Sequence, residues 1–337
     1  MLLTSAACVS APPPAPPPAP VPANAEAKRA AERAAARADS TRAVAARAPR
    51  RLSRPSARND TLGVRALRAP VRVCSGGDVT LGTNLDTAWA RMAAKRMRAG
   101  FGRDDQPATL LAPLRSLVSS ADIVLLNIES AIGAGRTPSK CGRRSKHCYA
   151  FRSPPASAPA LRALAPEKTV IGNVANNHAR DAGAAGHDST VAALRRAGVL
   201  VTGHDTLATS VPTPAGDTIG VLGFYTSSET PDARDTAAVF RHVARAFERY
   251  PLVIATMHLG AEGTDAQRTI DTSERFLGID RGNPVAFADA AVRGGAALVV
   301  GHGPHVLRAM EWRDRAHSSR TRSATSSPTD RSCSRSR

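Results

Sequence analysis

Three regimes of polar and apolar patterning follow one another along the chain. Up to residue 70 no apolar stripe repeats: a leader ends in a Pro/Ala run from Ala11 to Pro22, a composition that forms a stiff extended spacer. Glu26 to Ala48 is rich in Ala, Arg and Glu, good helix formers without an apolar face, and reads as a solvated stalk before an Arg/Pro/Ser linker. From Val71 the pattern changes. Short continuous apolar runs alternate with segments whose apolar residues recur at helical spacing. The runs at Val71–Ser75, 122–129 ("DIVLLNIE"), Thr169–Ala175, Val199–Thr202, Thr218–Tyr225, "PLVIATMHLG" from Pro251 and "AALVVGHGPH" predict buried strands. Asn84–Ala99, Ala108–Leu117, Ala156–Ala165, Gly183–Ala197, Asp232–Arg249 and Pro284–Arg293 predict helices. Buried strands alternating with helices argue an α/β protein. After Trp312 the tail "RDRAHSSRTRSATSSPTDRSCSRSR" has no core-forming period and is expected to be disordered. The expected division is a leader and spacer (1–25), a stalk and linker (26–70), an α/β domain (71–312) and a tail (313–337).

Charge sharpens this division. The net charge is +18, but residues 1–72 carry 13 basic against 4 acidic residues and residues 313–337 carry 7 against 2. The α/β domain is therefore close to balanced, which argues against a nucleic-acid partner. No run reaches the roughly 18 apolar residues of a membrane span. The start "LLTSAAC" resembles the end of a bacterial lipoprotein signal, with Cys8 as the lipidated residue, although Ser5 stands where Leu is usual and no charged segment precedes it. That reading predicts an extracytoplasmic, lipid-anchored protein; the alternative is an ordinary disordered leader. Among the five cysteines, Cys141 and Cys148 share a polar loop. They are expected to form a disulfide in an oxidising compartment, the alternatives being free thiols or a metal knuckle with His147. Cys74 lies in a strand pattern and reads as a small buried hydrophobe.

Chemistry collects where the apolar runs end. Five of them finish in residues able to bind metal or move protons: Asp78; Asn127 and Glu129; Asn177, His178 and Asp181; His258; His302 and His305. In α/β sheets ligands gather outside the carboxyl ends of strands, so residues distant in sequence can converge on one rim. Imidazole, carboxylate and amide oxygen suit Zn²⁺, Mn²⁺ or Fe. Two ions about 3.5–4 Å apart would orient an oxyanion and activate a water. Gly301, Gly303 and Pro304 break the last strand, which lets both His302 and His305 turn inward.

The segments "GGDVTLG", "ADIVLLNIES", "ANNHARDAG", "MHLGAEG" and "VVGHGPHVLRAMEW" resemble the signature segments of the CapA-type, poly-γ-glutamate capsule-synthesis proteins, within the calcineurin-like metallophosphoesterase superfamily. The resemblance spans roughly residues 71–312. It implies a four-layer αββα sandwich, here expected to be truncated at its C-terminus. It also implies two divalent ions, with Asp78 binding one, Glu129 bridging both, His305 completing the first, and Asn177, His258 and His302 completing the second. His178 would be the acid that protonates a leaving group, with Asp181 orienting it and Asn176 holding the turn. The substrate implied is an anionic polymer or phosphoester, and the partners implied are membrane-bound capsule-synthesis proteins. Several features depart from the pattern. The superfamily's His near the first Asp is absent, Glu129 stands in place of Asp, and Ala297 stands where Asp is usual. The apolar strand and "YSLGNF" segment expected after "MEW" are missing, and a frameshift near Arg320–Ser326 would account for that. The leading expectation is an extracytoplasmic metal-dependent hydrolase or transferase. The competing ones are a non-catalytic polymer-binding or assembly module on the same fold, and an inactive remnant.

Overall fold

A strand buried on both faces sends alternate side chains into two different cores. The computed structural model describes residues 66–84, 106–133, 149–228, 231–312, 323–325 and 333–336, with positions 91, 92, 95 and 99. All lie in the unit Gly63–Arg337. In chain order the strands are β1 (Val71–Val79), β2 (Thr83–Asn84), β3 (Ile123–Ile128), β4 (Ala131–Ile132), β5 (Phe151–Ser153), β6 (Thr169–Asn173), β7 (Leu200–Thr202) and β8 (Thr209–Pro212). They continue with β9 (Thr218–Tyr225), β10 (Val253–His258), β11 (Arg275–Phe276), β12 (Ile279–Asp280), β13 (Leu298–His302), β14 (Ser323–Thr325) and β15 (Cys333–Ser336).

Two five-stranded sheets result, ordered β15-β1-β3-β6-β7 and β14-β13-β10-β9-β8. Within each, four strands run parallel and one edge strand, β15 or β8, is antiparallel. Val71, Val73, Ile123, Leu125 and Ile171 of the first sheet pack against Ile219, Val221, Ile254 and Val300 of the second, forming the core between the sheets. The alternate residues face outward. Val124, Leu126 and Val170 meet the helices Ser157–Leu164 and Gly183–Arg196. Leu222, Phe224, Val253, Ala255, Met257 and Val299 meet Thr236–Phe247 and Pro284–Arg293. The result is the αββα sandwich that the resemblance implied.

Several boundaries differ from expectation for local reasons. The helix expected over Ala108–Leu117 is divided into Pro107–Leu111, a 3₁₀ turn Ala112–Leu114, and Arg115–Val118, because Pro113 has no N–H to donate. The helix expected from Asp232 begins at Thr236, where the Asp235 side chain accepts the Ala238 N–H as a cap. Asp232 instead forms a bridge with Tyr225. Strands β4, β5 and β8, which sequence patterning missed, are two to four residues long. Cys74 is half-buried rather than buried. The segment expected to be disordered contributes β14, paired with β13, and β15, paired with β1. Cys8, Cys141, His147 and Cys148 lie outside the described residues.

Candidate metal centre

The alternation that builds the inter-sheet core also aims the polar strand ends. Asn127 follows Ile123 and Leu125 on the inner face, Asn173 follows Ile171, His258 follows Ile254, and His302 follows Val300. His258 and His302 are direct neighbours in the parallel register. Asp78 would have the wrong phase on a regular strand. A register shift between Ser75 and Asp78, a bulge across Gly76 and Gly77, restores it: Ser75 pairs with Leu125, and Asp78 then pairs with Asn127.

Asn127 is the joint of this rim and is fully buried. Its Nδ2 donates to Asp78 Oδ1 at 2.6 Å and lies 3.1 Å from His258 Nδ1. Its Oδ1 accepts from Asn173 at 3.0 Å and Asn176 at 3.2 Å. Asn176 also donates to the Ile128 carbonyl at 2.9 Å, while its own Oδ1 accepts the His178 N–H at 3.0 Å. The loop carrying His178 is thereby fixed against the end of β3. His178 Nδ1 is 2.6 Å from Asp181 Oδ2, which also accepts the Phe151 N–H at 2.6 Å. The Phe151 ring lies against the imidazole, with centroids 4.4 Å apart.

Glu129, one residue past β3, is the focus. Around its Oε1 stand His258 Nε2 at 3.6 Å, His178 Nε2 at 3.9 Å and His305 Nε2 at 4.0 Å. These separations exceed hydrogen bonds; those of His258 and His305 suit ligand atoms that would each approach a cation at about 2.0–2.2 Å, whereas His178, held by Asp181, stands beside that space. His305 Nδ1 is 3.0 Å from Asp78 Oδ2, which also accepts the Gly303 N–H at 3.2 Å. Asp78, Glu129 and His305 each offer one ligand atom within 4.8 Å of the others. His305 sits at φ 54°, a left-handed conformation that turns its ring back over the rim.

The donor set suits a cation. Glu129 Oε1, Asn177 Oδ1, His258 Nε2 and both ring nitrogens of His302 are buried without a hydrogen-bond partner among the described residues. Leaving so many buried lone pairs unsatisfied is costly unless an ion takes them. Protonation follows the same logic. Burial, then the neighbouring Asp78 and Glu262 carboxylates, push the Glu129 carboxyl up to about 10. Burial opposes ionisation of Asp78, but its hydrogen bond with His305 and the charges of His258, His302 and His305 outweigh that and hold it well below the carboxylate range. Burial holds His258 well below, and His302 below, the ordinary imidazole value, so both keep the neutral form that ligates metal. His305 is raised, chiefly by its bond to Asp78.

Thus the structure brings Asp78, Glu129, His178, Asp181, His258, His302 and His305 to one rim, with Asn177 between two residues that touch it. Sequence patterning gave no role to Asn173, which joins the Asn127 network, or to Glu262 and Arg281. Glu262 Oε2 is 3.7 Å from His305 Nε2, and Glu262 Oε1 is 3.2 Å from Arg281 Nη2. Both lie in polar segments, where charges ordinarily signify solvation, and nothing in their spacing links them.

A family model described as bacterial capsule synthesis protein PGA_cap matches residues 72–320, a span that contains every one of these residues. No curated protein matches the chain. With the αββα sandwich and a cation-suited donor set at its strand ends, the chain belongs to the PGA_cap family of bacterial capsule synthesis proteins.

Proposed function

We propose that this protein is an extracytoplasmic, metal-dependent hydrolase or transferase of the capsule-synthesis type, acting on an anionic polymer or phosphoester. The observation that carries the reading is the set of buried, partnerless lone pairs on Glu129, Asn177, His258 and His302 beside the Asp78–Glu129–His305 group. Asp78 and His305 would hold one divalent ion, Asn177, His258 and His302 a second, and Glu129 would touch both, with Mn, Zn or Fe as the candidates. Ions so held supply Lewis acidity and lower the pKa of a bound water toward 7.

The remaining work falls to the chain. Asp181 holds His178 through Nδ1, and Nε2 is left facing Glu129. The Asp181 carboxylate accepts the Nδ1–H, so a proton on Nε2 belongs to the imidazolium form, whose charge that carboxylate balances. His178 Nε2 is then placed to give a proton to a leaving oxygen at the rim. The packed Phe151 ring keeps the imidazole from rotating away. Membrane-bound capsule-synthesis proteins are the partners this role calls for. No helix among the described residues is long and apolar enough to cross a membrane; the anchor in this reading is a lipid on Cys8, as the leader's resemblance to a lipoprotein signal suggests.

The test is metal content paired with turnover of a chromogenic phosphodiester. His178→Ala should retain metal at the wild-type level and lose about 100-fold or more in kcat, whereas His302→Ala should lose metal. Full metal with no turnover in the wild type would instead favour a binding or assembly module.

A further inference from the structure

Two arginines are buried near the metal centre, and only one is properly paired. Arg308 forms a fork with Glu274, Nη1 to Oε1 at 2.9 Å and Nη2 to Oε2 at 2.6 Å, and the same carboxylate accepts the Ala261 N–H at 2.7 Å. Arg281 is only 4% exposed, yet neither Nε nor Nη2 has a hydrogen-bond partner in aligned geometry among the described residues. Its one carboxylate contact among the described residues is the 3.2 Å approach of Glu262, an ion pair rather than a fork. A buried guanidinium left in this state is costly, and it matches a planar two-oxygen anion better than a single off-axis oxygen.

The two partners differ in freedom. Arg281 is pinned at both backbone groups, its N–H donating to the Glu274 carbonyl at 2.8 Å and its carbonyl accepting the Gly260 N–H at 2.9 Å. The Glu262 side chain is 17% exposed against 5% for that of Arg281. Its neighbours are held by their N–H groups, Ala261 donating to the Glu274 carboxylate and Gly263 to the Pro304 carbonyl. Moving the carboxylate therefore needs only side-chain rotation toward solvent. The other Glu262 oxygen points at His305, whose ring is 45% exposed, so this position opens on the rim of the centre.

We propose that Arg281 is the seat for an oxyanion of the substrate, a carboxylate or a phosphoryl group flanking the reacting bond, and that Glu262 occupies this seat until substrate displaces it. The inference deepens the metal-centre reading and rests on it for the identity of the reacting bond. Anion binding by Arg281 itself does not require that reading.

The experiment is calorimetric titration of the full-length protein, with and without Mn²⁺, using inorganic phosphate and glutarate as separate probes. Metal content is measured in parallel. Glu262→Ala clears the seat and should tighten binding of at least one probe about tenfold, while Arg281→Lys, which keeps the charge and loses the fork, should weaken it by a similar factor. The probe that follows this pattern identifies the anion class. If Glu262→Ala leaves both affinities unchanged or lowers them, or if Arg281→Lys binds like wild type, the proposal is overturned. Should Arg281→Lys not fold, the Glu262→Ala arm decides alone. Stoichiometric metal without the pattern would sink the seat and spare the centre; the pattern without metal would do the reverse.

Discussion

Asn127 shows how one residue can set a site without being its ligand. Its amide donates to Asp78 and accepts from Asn173 and Asn176 on its own sheet's side, and lies 3.1 Å from His258 Nδ1 of the second sheet, so carboxylate, imidazole and loop are positioned by one side chain. Glu129 beside it bears the electrostatic consequence. With its carboxyl pushed up to about 10, the folded protein holds a proton that the unfolded chain releases near 4.5. The metal-free protein therefore loses stability as pH rises above the unfolded value, with the loss continuing up to the folded one. A divalent cation removes this penalty by favouring the carboxylate, and its binding releases the proton. The rise in Tm on adding Mn²⁺ should accordingly be larger at pH 9 than at pH 6. A rise that stays constant or shrinks with pH would argue against Glu129 as a ligand.

At the scale of elements, the strands carry the design and the bulge corrects it. The continuous apolar runs were visible, and so were the polar residues ending them, which is why His258, His302 and Glu129 could be assigned to a rim from sequence. The phase of Asp78 could not be read, because it depends on one extra residue in β1 that only pairing with β3 defines. Arg281 was equally hidden. Its backbone is paired with Glu274 across the β11–β12 hairpin, whose strands are two residues each and carry no period. Close approach of the sheets adds a constraint of its own. A Cβ on Gly223 of β9 would fall 2.1 Å from Asn173 Oδ1 and 2.9 Å from the Gly203 Cα, both on the first sheet's side. Gly223→Ala should therefore lower stability by about 1–3 kcal/mol, as overpacking does, and disturb Asn173 and the Asn127 network. Denaturant unfolding checks this, and a change below about 0.5 kcal/mol would show that the sheets can part there without cost.

On the scale of the whole molecule, the four parallel strands of each sheet direct their carboxyl ends to one side, and the rim is where the ends from the two sheets meet. Residues from β1, β3, β10 and β13 and from the loop after β6 reach it, although Asp78 and His305 are 227 positions apart. Most of the chain's net positive charge lies in residues 1–72 and 313–337, outside the stretch of sequence that supplies the rim residues. What the fold assembles is a cluster of carboxylates, imidazoles and amide oxygens in which buried atoms of Glu129, Asn177, His258 and His302 lack a hydrogen-bond partner among the described residues. The central claim is that divalent ions take them. The most direct measurement is metal content after loading the full-length protein with Mn²⁺ and dialysing it, for wild type and for Asp78→Asn and Glu129→Gln. The account predicts about two ions per wild-type chain, about one in Asp78→Asn, which loses a ligand of one ion, and fewer than one in Glu129→Gln, which loses a ligand of both. Wild-type protein that retains no metal, or variants that retain as much as wild type, would contradict it.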